Sequence, residues 1–142
     1  MAASTRPPLS ASTRALLTLE LFVTFWAFAG GIGVMGGGLD LPSDWLDGTP
    51  FSSYFFPGLI LFVVVGGSML AASLAVWSRN LFAGPASLAV GSILLIWITV
   101  QVVLIGYRSW MQPTFFAFGL AVVALAIPLF AGFLSRRGRE RF

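Results

Sequence analysis

The sequence predicts an all-α membrane protein: an antiparallel four-helix transmembrane bundle. Three observations predict it. Four apolar runs, 15–37, 58–78, 86–107 and 114–134, occupy most of the 142 residues. About 20 helical residues cross a hydrocarbon core of roughly 30 Å, so each run is long enough to span. Charged residues make up only 9% of the chain, against about 25% in soluble domains. Finally, the arginines cluster at one end of the expected bundle. Backbone groups in lipid must pair within their own segment, which leaves helices as the form for these runs.

The head, residues 1–14, is small, polar and proline-containing, and reads as disordered. The first span, 15–37, follows Arg6 and Arg14. Ala27-Phe28-Ala29 has the small-x-small form of a signal cleavage site. Against cleavage, the apolar run continues to Met35, and Glu20 interrupts what would be the signal's apolar core. An uncleaved span is the preferred reading.

The first loop, 38–57, carries Asp40, Asp44 and Asp47 and no basic residue. Within it Pro42–Gly48 reads as one helical turn, capped by Ser43 and ended by Gly48. Trp45, Phe51, Tyr54, Phe55 and Phe56 are expected at headgroup depth, where amphipathic rings are favoured. The aspartates suit a solvated acidic surface better than a calcium loop, whose spacing they lack. Pro57 opens the second span, 58–78, and Pro85 opens the third, 86–107. A turn at 108–113 leads to the fourth span, 114–134, in which Pro128 predicts a kink near Ala124. A basic tail, 135–142, ends the chain.

With both termini on one side, seven arginines lie at that end and only Arg108 at the other. The positive-inside rule then places both termini in the cytoplasm of a multi-pass plasma-membrane protein. The Arg136–Arg141 tail is expected to contact anionic lipid headgroups. Nucleic acid would need a larger exposed basic surface and is not expected.

Glu20 is the only acidic residue inside an apolar run. Insertion of a charged side chain near mid-bilayer costs about 2.5–3.5 kcal/mol or more. Two readings compete. Glu20 could accept a proton or bind a cation. Alternatively it is a buried structural anchor bonded to Thr24, to another helix or to Arg79. The structural reading is preferred, because no second buried carboxylate or histidine offers a relay. Gln101 is expected to make an interhelical hydrogen bond, and Arg108 and Trp97 could join it in a polar pocket. Glu20, Thr24, Gln101 and Arg108 are the candidate functional polar residues.

Small residues recur at four-residue spacing on two spans. Ala29, Gly33 and Gly37 form one stripe, opposite a face made by Glu20, Thr24, Ala27 and Gly31. Gly67, Ala71 and Ala75 form another. Such stripes let helix backbones approach closely. A first span with two such faces is central, or packs one face against a second copy or another membrane protein. Packing within the monomer alone is preferred.

Cysteine and histidine are absent, which removes thiolate chemistry, the commonest general base and the commonest metal ligand. No phosphate-binding loop, nucleophile elbow or dinucleotide fingerprint is present. No cofactor or metal site is therefore expected, and the chain is not read as an enzyme.

The acidic first loop, the stretch Thr49-Pro50-Phe51-Ser52-Ser53-Tyr54-Phe55-Phe56-Pro57-Gly58 and the stretch Gly106-Tyr107-Arg108-Ser109-Trp110-Met111-Gln112-Pro113 resemble those of small uncharacterised four-helix bacterial membrane proteins. The resemblance implies a fold and a location but no activity. The expected function is a non-enzymatic packing or accessory subunit of the membrane. The alternative is a small transporter or channel subunit using Glu20.

Overall fold

A computed structural model describes residues 8–36, 42–107 and 109–140. Gly37, Arg108, Asp40, Arg6 and Arg141, named above, lie outside the described residues. Four helices run α1 (Ala11–Met35), α2 (Phe55–Trp77), α3 (Ala83–Ile105) and α4 (Met111–Glu140). All four are long and apolar enough to cross a membrane. They form an all-α bundle with no strand among the described residues.

The bounds differ from the sequence expectation mainly at the ends. The head is not wholly irregular: Ser10 caps α1 by accepting a hydrogen bond from the Thr13 amide at 3.2 Å, and helix begins at Ala11. A side-chain acceptor at that position satisfies one of the open amides of the first turn. The tail likewise does not separate from the fourth span. α4 continues as helix to Glu140, with Arg137 and Arg139 in its last turn, where cations oppose the negative end of the helix dipole. Helix also runs unbroken through Pro128.

The short helical turn in the first loop is present as a single 3-10 turn, Ser43–Leu46. Ser43 is not its cap, however. Pro42 holds that position without a side-chain bond. Tyr54 ties the loop back by donating its hydroxyl to the Pro42 carbonyl.

Contacts concentrate within two hairpins, α1–α2 and α3–α4. The hairpins join through looser seams between α2 and α3 and between α4 and α1. Helices α1 and α3 are therefore diagonal to each other, across the bundle axis. The apolar core uses one stripe from each helix: Leu16, Val23 and Ala27 of α1, Val65, Met69 and Val76 of α2, Val90 and Leu94 of α3, and Val122 and Ala126 of α4. Large apolar side chains on the outside remain exposed, among them Phe25, Trp77 and Val103. Contiguous exposure of this kind is costly in water and suits acyl chains.

Glycines set the closest approaches. A Cβ on Gly31 would stand 2.9 Å from the Gly58 carbonyl oxygen, and one on Gly84 would stand 2.6 Å from the Leu129 and Phe130 backbone. Gly91 and Gly119 similarly admit the side chains of Val123 and Leu95. Helix α2 contains a π-helical stretch, Leu61–Gly67. Its wider turns carry an extra residue and shift which side chains face inward.

Candidate functional site

The interior of the bundle holds four buried polar side chains from three helices: Glu20 and Thr24 of α1, Ser73 of α2 and Ser87 of α3. Two close on their own helices. Thr24 donates its hydroxyl to the Glu20 main-chain carbonyl at 2.7 Å, and Ser73 donates to the Met69 carbonyl at 2.8 Å. This back-bonding removes their hydroxyls from interhelical chemistry.

Glu20 and Ser87 are different. Glu20 is fully buried, and neither carboxyl oxygen has a hydrogen-bond partner among the described residues. Ser87 is also fully buried, and its hydroxyl too is unpartnered. The two side chains face each other across the bundle diagonal without closing a hydrogen bond. Helical neighbours one turn on either side of Glu20, namely Leu16, Leu17, Val23 and Thr24, are all buried. Ser87 sits four residues into α3, about 6 Å from that helix's start. The pair therefore lies toward the end of the bundle that carries both chain termini.

Of the anchors expected for Glu20, Thr24 and Arg79 do not bond the carboxyl, and another helix brings only the Ser87 hydroxyl near it. Thr24 bonds the Glu20 main chain and leaves the carboxyl untouched. Arg79 gives the carboxyl no hydrogen bond, since both oxygens are open. Arg79 instead holds the left-handed position after α2, with φ of 57°. There its amide bonds the Val76 carbonyl, and the Asn80 amide bonds that of Ala75. This is the paired C-terminal capping arrangement usually built on glycine.

Gln101 is half-buried and makes no hydrogen bond to any described residue, so the expected interhelical bond is not formed. Its neighbour Trp97 buries its indole nitrogen without a partner. The buried amide at this end is Gln112. It donates to the Gly106 carbonyl at 3.3 Å and accepts from the Ser109 amide at 3.4 Å, stapling the turn between α3 and α4. By sequence Gln112 falls in the turn 108–113, whereas in the structure it lies in the first turn of α4. Its only visible signal was a glutamine beside a proline just before an apolar run.

The small-residue stripes fall mainly outside the core. Ala29 is exposed and Gly33 is half-buried. Ala71 is exposed, and a Cβ on Gly67 would meet nothing within 4 Å. Ala75 is half-buried. The inward stripe of α2 instead runs through Val65, Gly66, Met69, Ala72, Ser73 and Val76. Gly66, rather than Gly67, accepts a neighbour, the Phe28 ring. Helices apolar on every side present several small-residue stripes, and only the partner's shape selects among them.

No cluster of three or more acidic, histidine or cysteine side chains occurs among the described residues. No protein family, curated protein or solved structure matches the chain.

Proposed function

We propose that this chain is a small, non-enzymatic, multi-pass plasma-membrane protein that binds a proton at Glu20, acting as a transporter or channel subunit in which Glu20 is the single carboxyl station, no second buried carboxylate occurring among the described residues. The observation that carries the reading is the Glu20 carboxyl, fully buried on the diagonal of the bundle with both oxygens unpartnered. An unpaired carboxylate is costly in such surroundings, so the site calls for an occupant. A basic side chain from another protein would have to pass between the helices to reach it. A proton would not. A calcium ion takes about six to eight oxygen ligands, and only the carboxyl and the Ser87 hydroxyl converge here. The seven-to-one arginine distribution supports cytoplasmic termini.

Reconstituted vesicles under a pH gradient test this. Proton flux above vesicle leak is expected for the wild type, and Glu20→Gln should remove it while preserving the folded bundle. Wild-type flux equal to leak defeats the proposal.

One observation favours a second reading, the packing or accessory subunit: Ala29 lies on the outer surface of α1 and is free to meet another helix. The chain has no native cysteine, so Ala29→Cys gives a single disulfide reporter. Cross-linked dimer in native membranes supports self-association through that face, and its absence removes it.

A further inference from the structure

The looser seam between α1 and α4 opens on the outer surface as a groove of about 730 Å³. Arg14, Thr18 and Phe22 line it at four-residue intervals along α1, with Ala15 beside them, and Phe118 and Leu125 line it from α4. Its chemistry is graded. Arg14 lies at the end nearest the chain termini and is exposed, with no ion pair or hydrogen bond of its side chain to any described residue. Thr18, one turn deeper, offers a hydroxyl. Beyond it the walls are wholly apolar. Phe22 and Phe118 meet edge to face, with ring centres 5.4 Å apart, at the deep end.

From Arg14 to Phe22 the helix rises about 12 Å. That distance carries the groove from headgroup depth to near the middle of a hydrocarbon core about 30 Å thick. A guanidinium at headgroup depth, a hydroxyl where ester carbonyls lie, and an apolar slot ending at mid-bilayer match one molecule. We propose that this groove binds an anionic phospholipid from the leaflet on the side of the termini. Its phosphate pairs with Arg14, and one acyl chain lies between α1 and α4. Charge complementarity selects the anionic headgroup, and the slot fixes the chain. The proposal stands apart from the Glu20 reading, because the groove lining does not include Glu20.

Native mass spectrometry of the full chain in mild detergent, titrated with dioleoyl phosphatidylglycerol or dioleoyl phosphatidylcholine, tests it. One phosphatidylglycerol should be retained with about fivefold preference, the scale expected of one arginine at the headgroup plane. Arg14→Gln should erase the preference, whereas neutralising Arg136, Arg137 and Arg139 together should leave it. Ala15→Phe, which fills the slot, should reduce retention of both lipids. Equal retention of the two lipids by the wild type overturns the proposal. So does a preference that survives Arg14→Gln or disappears with the tail arginines. Unchanged retention in Ala15→Phe would place the lipid elsewhere and overturn it as well. Thermal unfolding in the same detergent confirms that each variant is folded, Arg14 and Ala15 being exposed.

Discussion

Gly31 of α1 and Gly58 of α2 lie backbone against backbone. A Cβ on Gly31 would come within 2.9 Å of the Gly58 carbonyl oxygen, and a Cβ on Gly58 within 2.8 Å of the Gly31 carbonyl oxygen. This reciprocal contact closes the first hairpin next to the acidic loop. Gly31→Ala or Gly58→Ala should destabilise the bundle by about 1–3 kcal/mol, the usual cost of overpacking. Gly67→Ala, entering open space, should not destabilise it. Detergent-phase unfolding monitored by circular dichroism separates the three variants.

Glu20→Gln keeps the shape of the side chain and, like the protonated carboxyl proposed above, carries no charge. Stability should therefore change by no more than about 1 kcal/mol, small against the losses reserved for unpaired buried charges. Glu20→Lys should prevent assembly. It puts a cation beside Ser87 with no acidic partner, at an insertion cost of about 2.5–3.5 kcal/mol or more. Yield in the membrane fraction and the unfolding curve report both outcomes.

Arg79 is the only non-glycine residue with positive φ among those described. Left-handed backbone costs an ordinary side chain about 1–2 kcal/mol. Arg79→Gly relieves that backbone cost but also removes the side chain's own interaction, so the net change should stay within about 1 kcal/mol while the capping bonds to Val76 and Ala75 persist. It still leaves six arginines at the end that carries the termini. Orientation, read by reporter fusions at the C-terminus, should stay unchanged.

Gln112 bonds main-chain groups on both sides of the turn between α3 and α4. Gln112→Leu leaves the Gly106 carbonyl and Ser109 amide without those partners. Buried polar groups left open cost about 1–3 kcal/mol each, so the variant should unfold earlier. Faster hydrogen exchange at residues 106–112 should accompany the loss.

The four spans were legible in the sequence to within a few residues, apart from the helical extension of α4 to Glu140. Glu20 was also legible as the exceptional residue. What it meets was not. Thr24, another helix and Arg79 were all open as partners; Thr24 turns to its own helix, Arg79 caps α2, and the residue beside the carboxyl comes from another helix. Ser87, the residue that faces the carboxyl, shares a helical stripe with Val90 and Leu94, which turns inward, but nothing in its spacing tied it to Glu20. The glycine contacts were hidden for a related reason. Gly84, Gly91 and Gly119 matter because of the side chains opposite them on another helix, which spacing along one helix cannot reveal.

Composition and run length alone determined that this chain makes four helices of membrane-crossing length. Hydrocarbon thickness sets the length of each element, and unsatisfied backbone polarity forbids anything but helix there. Helical spacing already grouped Glu20, Thr24, Ala27 and Gly31 on one face of α1, and that face is the buried one; tertiary structure alone decided which faces of α2 and α4 turn inward. These helices are apolar all round, so no contrast between a wet and a dry side orients them. Their rotation is settled by how glycines, rings and branched side chains fit across the seams. That fit placed Glu20 opposite Ser87 and opened the groove beside Arg14.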